Sequence, residues 1–336
     1  MKIVIDAFGG DFAPYEILKG SILAKKEINN LDITFCGNEQ KLEASAKEIG
    51  LNLSDFEIVD AKNTMSSDEN PSNILNEKNQ CSMAIALKLL NEPEIDAFVS
   101  AGNTGALAVG ASYYAKKIKN VKRAALSPIL PSLKGKMLLI DAGANLQCNE
   151  NVLLQFAIMG KIYAEEILKI KNPRIGLANV GAEAQKGTQT LKAAHNLLKN
   201  YDKLNFVGNI EARYIPLGVC DVVVCDGLVG NMILKTIEGT AKFLTQSLKK
   251  VFYKNIKTKI AAALLKKDML CLKNDINYKN YGGAIFLGMQ KPIIKAHGNS
   301  NAKTFKQSIL SAAFCANQKI CLKISDNLKN IKNDEV

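Results

Sequence analysis

Short apolar runs, many of them β-branched, alternate along this chain with longer segments in which apolar residues recur every three or four positions. The short runs predict strands at Ile3–Ala7, Ile33–Cys36, Phe56–Val59, Ala97–Ser100, Met137–Asp141, Arg174–Asn179, Leu204–Gly208 and Val222–Cys225. The longer ones predict helices from Pro14 to about Ile28, then over Glu39–Ile49, Cys81–Leu90, Thr104–Lys116, Val152–Leu168 and Thr188–Lys199. Strand and helix alternate from end to end. That rhythm predicts an α/β fold with a mostly parallel sheet and helices on both faces. No Pro-, Ser- or Gly-rich linker divides the chain, so residues 1–325 are read as a single catalytic domain and 326–336 as a frayed tail.

The polar positions cluster where the predicted strands end. They are Asp6-Ala7-Phe8-Gly9-Gly10-Asp11, Ser100-Ala101-Gly102-Asn103-Thr104-Gly105, Asp141-Ala142-Gly143-Ala144-Asn145, Asn179-Val180-Gly181-Ala182-Glu183 with Lys186-Gly187 behind it, and Gly208-Asn209-Ile210-Glu211-Ala212-Arg213. Any one of these is ordinary turn chemistry. Parallel α/β sheets bind ligands at the carboxyl ends of their strands, so several such clusters are expected to converge on one sheet edge as a site. The stretch from Val222 to Lys235 has the same form with more detail. A β-branched strand leads through Asp226-Gly227-Leu228-Val229-Gly230-Asn231 into a helix whose unpaired N–H groups favour an anion, and Asn231 and Lys235 share one helix face.

Composition narrows the partners. The net charge is +12, but of 44 basic residues only Arg123, Arg174 and Arg213 are arginine, and the lysines are scattered. With no aromatic-basic stretch or Cys/His finger, nucleic acid is not expected as a partner, whereas steering of anionic substrates is. The eight cysteines form no C-x-x-C pair, and no signal peptide is visible ahead of the first strand. A reducing, cytoplasmic setting is expected.

The chemistry narrows similarly. The chain has no G-x-G-x-x-G, no Walker A loop and no G-x-S-x-G elbow. Its two histidines, His195 and His297, make no metal-ligand pattern, so no metal and no cofactor are expected. What remains is a Gly/Asn-lined crevice with Lys186, Lys235, Lys295, Arg213 and His297 as cations or proton carriers. That inventory suits a phosphate group, and equally an oxyanion hole for acyl transfer.

Taken together these runs resemble the bacterial phosphate acyltransferases that pass acyl groups from acyl carrier protein to phosphate. The resemblance also includes Gln155-Phe156-Ala157-Ile158-Met159-Gly160, Tyr281-Gly282-Gly283-Ala284 and Lys295-Ala296-His297-Gly298, and it runs in order from residue 3 to about 300. It implies that a fatty acyl group moves from the carrier thioester to inorganic phosphate, and that a membrane glycerol-3-phosphate acyltransferase uses the acyl phosphate for phospholipid synthesis. It further implies a homodimer with a three-layer α/β/α fold like that of isocitrate and isopropylmalate dehydrogenases. Two positions depart from the family pattern. Its basic cluster before Ser-Met is reduced here to Lys78, and Thr188 stands where Asn is usual, with a hydroxyl able to cap the following helix.

On this reading Lys186, Asn231, Lys235 and His297 are the candidate catalytic residues. Asp6, Gly9, Gly10, Asn103, Thr104, Gly105, Asn145, Arg213, Asp226, Gly227 and Gly230 are the candidate substrate-binding residues, with Asp226 organising the loop or Lys235 rather than acting as a base. An acyl-CoA-dependent short-chain phosphate acyltransferase, or a non-catalytic phosphate sensor of the same fold, is the competing expectation.

One segment stands apart. Between Gly239 and Lys267 there are eight lysines and no acidic residue. Within a basic helical hairpin spanning residues 239–275, Ile256, Ile260, Leu264 and Leu265 would form an apolar stripe. Such a face suits an anionic membrane surface, a dimer partner or the acidic carrier protein, and the resemblance favours peripheral membrane contact.

Overall fold

The computed structural model describes residues 1–270 and 281–329. Eleven strands form one sheet among the described residues: β1 (Lys2–Asp6), β2 (Asp32–Gly37), β3 (Glu57–Asp60), β4 (Ala97–Ser100), β5 (Ala125–Ser132), β6 (Gly135–Ile140), β7 (Arg174–Ala178), β8 (Asn205–Ile210), β9 (Val222–Val224), β10 (Ala284–Leu287) and β11 (Ile293–Lys295). The order across the sheet is β3-β2-β1-β4-β11-β10-β5-β6-β9-β7-β8. Pairing is parallel except at three consecutive joins, β11–β10, β10–β5 and β5–β6.

Those three joins reverse the direction of the sheet. The strands from β3 to β11 run one way, and β6 to β8 run the other. β5 bridges the halves: Ala125 to Pro128 pair with β10, while Ile129 to Ser132 pair with β6. The carboxyl end of β11 reaches this bridge through Lys295 opposite Ala284, itself opposite Pro128. The carboxyl end of β6 reaches it through the Ala142 amide, which donates to the Leu126 carbonyl at 2.8 Å. The polar clusters therefore do not share one edge, as a uniformly parallel sheet would require. Two carboxyl edges of opposite sense meet at the middle of β5.

Side-chain alternation separates the layers. Ile3 and Ile5 of β1, Leu138 and Ile140 of β6, and Val222 and Val224 of β9 enter one core. It is shared with the helices α1 (Tyr15–Lys25), α5 (Glu150–Glu166), α6 (Gln189–Asn200) and two carboxyl-terminal helices, α9 (Ala302–Asn317) and α10 (Ile320–Lys329). On the opposite face Val4 and Phe98 pack with α3 (Ser82–Leu89) and α4 (Thr104–Tyr114), and Leu139 and Val223 pack with Ile233. Helix, sheet and helix make three layers, and α2 (Glu39–Glu48) lies between β2 and β3 in the chain. At the carboxyl-terminal side the chain stays helical to Lys329 with Leu328 buried, so order extends past the expected start of the tail at 326. Residues 330–336 lie outside the described residues.

Ile233 belongs to α7 (Gly227–Phe252), an unbroken helix of 26 residues. At 1.5 Å per residue it is about 40 Å long. Gly227, Gly230 and Ile233 of it are buried, Leu234 and Ile237 pack partly against the core, and the helix beyond Glu238 is mostly exposed. A short connection capped reciprocally by Asn255 and Thr258 leads to α8 (Ile256–Leu264), none of whose residues is buried. The first arm of the expected basic hairpin is thus the far end of the helix that begins at the Asp226 turn. Its last part, 271–275, lies outside the described residues.

Candidate active site

A cavity of about 420 Å³ opens where the two half-sheets meet. Its apolar lining comes from Leu126, Pro128 and Ile129 of β5 with Leu146, Leu228 and Leu234. Its remaining lining includes Thr104 and Gly105 from the start of α4, Asn231, Lys235 and Glu238 from α7, and Lys295, His297 and Ser300 from the end of β11 and the loop after it. Of the candidate residues, Thr104, Gly105, Gly227, Asn231, Lys235 and His297 are thereby brought together. Lys235 is ion-paired to Glu238 at 2.9 Å on an exposed stretch of helix. His297 is anchored through its backbone, with its carbonyl accepting from the Ser300 hydroxyl at 2.6 Å and the Ser300 amide at 3.0 Å.

The turn into α7 is held against the end of β6. The Gly227 amide donates to the Asn145 carbonyl at 2.7 Å. A β-carbon at Gly230 would lie 1.7 Å from the Asp141 carbonyl oxygen, a distance no side chain tolerates. The approach of two backbones thus requires glycine there. Asp226 caps the helix, its carboxylate accepting from the Val229 amide at 2.8 Å. Asp226 is therefore occupied in holding the turn that aims Asn231 and Lys235.

Several other polar candidates are spent on the scaffold as well. Asn145 donates through its side chain to the Ala124 carbonyl at 2.7 Å and to Asp141 at 2.9 Å. Asn103 caps α4 through the Ala106 amide at 3.1 Å while its Nδ2 donates to the Ser67 carbonyl at 3.0 Å. Asp6 is fully buried and accepts from the hydroxyls of Ser82 at 2.6 Å and Ser100 at 2.7 Å. Gly9 crosses closely over Asp6 and the Gly102 amide, and Gly10 (φ 105°) passes the Gly298 carbonyl, linking the ends of β1, β4 and β11.

Burial sets the charges beneath the cavity. It pushes the carboxyls of Asp6 and Asp141 above the ordinary carboxylate value, against hydrogen bonds that favour the ionised form. Asp141 accepts from the Leu126, Ala144 and Asn145 amides at 2.8, 3.2 and 2.7 Å, tying β5, β6 and the following loop into one knot. Lys295 is 8% exposed, and burial lowers its ammonium to about 8, with Asp6 opposing the shift.

Two candidates stand elsewhere in this chain. Lys186 is exposed on the loop after β7, and Arg213 is exposed after β8 and paired with Glu211 at 3.0 Å. Neither lines the cavity. Lys78 is paired with Glu69 at 2.9 Å. Thr188 caps α6, its hydroxyl accepting from the Leu191 amide at 3.3 Å, as its position suggested.

Sequence reasoning named no role for Glu238 and did not identify β5 as a strand. Glu238 follows Lys235 at a spacing of three, which marks it as a same-face partner. Among the described residues no group of three or more metal-ligating side chains occurs, and no helix is long and apolar enough to cross a membrane.

Comparison with known proteins agrees with this picture. Residues 1–323 match the model of the family described as fatty acid synthesis protein. A phosphate acyltransferase of Thermoanaerobacter pseudethanolicus is 44% identical over 335 residues, covering 99% of each chain. One of Clostridium novyi is 45% identical over 312 residues, covering 93% of this chain and 94% of its own. Among solved structures, a phosphotransacetylase from Streptococcus pyogenes aligns over 95% of this chain and 94% of its own with a TM-score of 0.63 at 15% identity, a likeness of fold. The EutD phosphotransacetylase of Staphylococcus aureus aligns over 94% of both chains with a TM-score of 0.56 at 13% identity. With residues 1–323 matched to the family model and 44–45% identity to those relatives, this chain belongs to the fatty acid synthesis protein family that includes the phosphate acyltransferases.

Proposed function

We propose that this acyltransferase moves a fatty acyl group from the thioester of acyl carrier protein onto inorganic phosphate. A phosphate oxygen attacks the thioester carbonyl, an O–C bond forms, the C–S bond breaks, and the carrier thiolate leaves and takes up a proton. The products are acyl phosphate and free carrier protein. The observation that carries this reading is a cavity lined both by apolar Leu126, Pro128, Ile129 and Leu146 and by polar Asn231, Lys235 and His297. An acyl chain needs the first and a phosphate the second.

Phosphate is already a competent nucleophile, so positioning and oxyanion stabilisation dominate. Asn231 and His297 donate to the developing oxyanion, and Lys235 supplies charge, held in place by Glu238. Thr104 at the first turn of α4 orients the phosphate. Lys186 and Arg213 lie outside the residues that line this cavity.

The exposed faces of α7 and α8 support the partners of this reading. Met232 and Phe243 of α7 are 62% and 67% exposed, large apolar side chains left uncovered by the described residues. A second copy would cover them in a homodimer. Ile256, Ile260, Leu264 and Leu265 are exposed among lysines, an arrangement suited to an anionic membrane surface. There a membrane glycerol-3-phosphate acyltransferase consumes the product for phospholipid synthesis.

Comparing donors tests the assignment. Turnover with acyl carrier protein thioesters that exceeds turnover with the same acyl group on coenzyme A supports it. The reverse preference makes the protein a coenzyme A-dependent phosphate acyltransferase.

A further inference from the structure

The cavity has a cation at its base that the proposed step does not yet use. Lys295 ends β11, nine-tenths buried, and lines the cavity. Its ammonium carries three N–H donors. Two carbonyls take them up in part, Ala101 at 3.3 Å and Ala296 at a closer contact. Among the described residues Lys295 makes no ion pair. The carboxylate that most offsets its burial is Asp6, whose two oxygens are already engaged by Ser82 and Ser100.

A buried charge without a bonded counter-ion is costly, and proteins keep one where a ligand completes it. The second cation of the cavity sharpens the point. Lys235 lies near enough on α7 to disfavour the charge on Lys295, so two ammonium groups repel across one space. An anion between them relieves that repulsion and takes the free donor of Lys295. Thr304 and Ser308 of α9 also line this cavity, their hydroxyls donating to the Asn301 and Thr304 carbonyls at 2.9 and 3.4 Å.

We propose that Lys295 is the buried ammonium that binds the phosphate nucleophile, holding it together with Lys235, which lines the same cavity. This rests on the reading of phosphate as acceptor substrate. It assigns the two lysines complementary duties. Lys295, fixed on a strand, sets the position of the anion, and Lys235, exposed on a helix, closes on it.

Two measurements on the full chain test it. Steady-state rates with Lys295→Met are expected to show the loss in the phosphate dependence, with kcat/KM for phosphate falling about 10- to 100-fold, as for loss of a hydrogen bond to a charged group. KM for the acyl donor should stay within about twofold. Independently, wild-type protein is treated with an amine-acylating reagent with and without inorganic phosphate, and modification of Lys295 is read by peptide mass spectrometry. Phosphate should slow modification of Lys295 while leaving Lys186 unprotected. Unchanged phosphate kinetics in Lys295→Met, or no protection of Lys295 by phosphate, overturns the proposal. Protection in a protein that forms no acyl phosphate from any donor keeps Lys295 as an anion site and overturns the reading of the reaction. Acyl phosphate formation without protection keeps the reaction and overturns the role of Lys295.

Discussion

Gly230 rests directly on the backbone carbonyl of Asp141, so closely that a β-carbon at position 230 would fall 1.7 Å from that oxygen. This contact seats the first turn of α7 on the end of β6 and fixes where Asn231 and Lys235 point. Replacing Gly230 with Ala forces the helix away from the strand. Overpacking of this kind typically costs about 1–3 kcal/mol. Gly230→Ala should lower the denaturant midpoint and lose activity together, whereas Gly239→Ala, further along the same helix with nothing within 4 Å, should lose neither.

The cavity residues should behave differently from the residues that hold them. Asn231→Ala and His297→Ala remove donors from the reacting carbonyl, a loss of roughly 100- to 1000-fold in kcat. Their unfolding midpoints should stay near wild type. Asp226→Ala should cost about 1 kcal/mol of stability through the lost helix cap, with a smaller kinetic effect. Steady-state kinetics beside urea titrations separate the two classes, and wild-type rates in Asn231→Ala and His297→Ala together would remove both from the site.

Lys295 gives the reaction a signature in pH. Burial lowers its ammonium to about 8 from 10.5, while Asp6 and Asp11 favour the charge and Lys235 disfavours it. If the charged form binds phosphate, kcat/KM for phosphate should fall as pH rises through about 8, and Lys295→Met should lack that limb. The stability effect has the opposite sign. Between about 8 and 10.5 the unfolded chain holds the proton that the folded chain has released, so wild type should gain stability relative to Lys295→Met as pH rises through this window. Urea titrations of both proteins at about pH 7.5 and about pH 10 read that sign.

The apolar residues of α8 are predicted to act at a surface, away from the chemistry. Ile260 and Leu264 are 57% and 80% exposed. Ile260→Glu with Leu264→Glu adds charge to the apolar stripe and removes its burial in lipid. Co-sedimentation with anionic vesicles should be lost, and turnover of the acyl donor in solution should stay within about twofold of wild type on the reading that α8 only touches lipid. Vesicle binding unaffected by both substitutions would place the membrane contact elsewhere.

The parts of this fold read from sequence were those set by local pattern. Ala97–Ser100 is a strand over its full expected span, and α2, α5 and α6 begin and end within two or three residues of where their periodicity places them. Pro128 and Pro131 argue against a strand inside a sheet, yet they sit in β5, the strand that joins the two half-sheets. The reversal of direction at β5 depends on which distant strands pair, and no local pattern encodes it. The site shows the same division. Asn103, Asn145 and Asp226 are strand-end polar residues like Asn231, but the fold consumes their hydrogen bonds while Asn231 faces the cavity. Sequence places such residues at the ends of strands without saying which way each one faces. Lys295 belongs to the strand that carries His297 into the cavity, and only its burial distinguishes it from the scattered surface lysines.

Formation of acyl phosphate reads most directly whether this cavity joins a fatty acyl group to inorganic phosphate. Purified protein incubated with acyl carrier protein thioester and phosphate, then quenched with hydroxylamine, should yield acyl hydroxamate in proportion to free carrier thiol, and omission of phosphate should abolish both beyond the uncatalysed background. Thiol release that proceeds equally without phosphate, or no hydroxamate above the protein-free control, would contradict it.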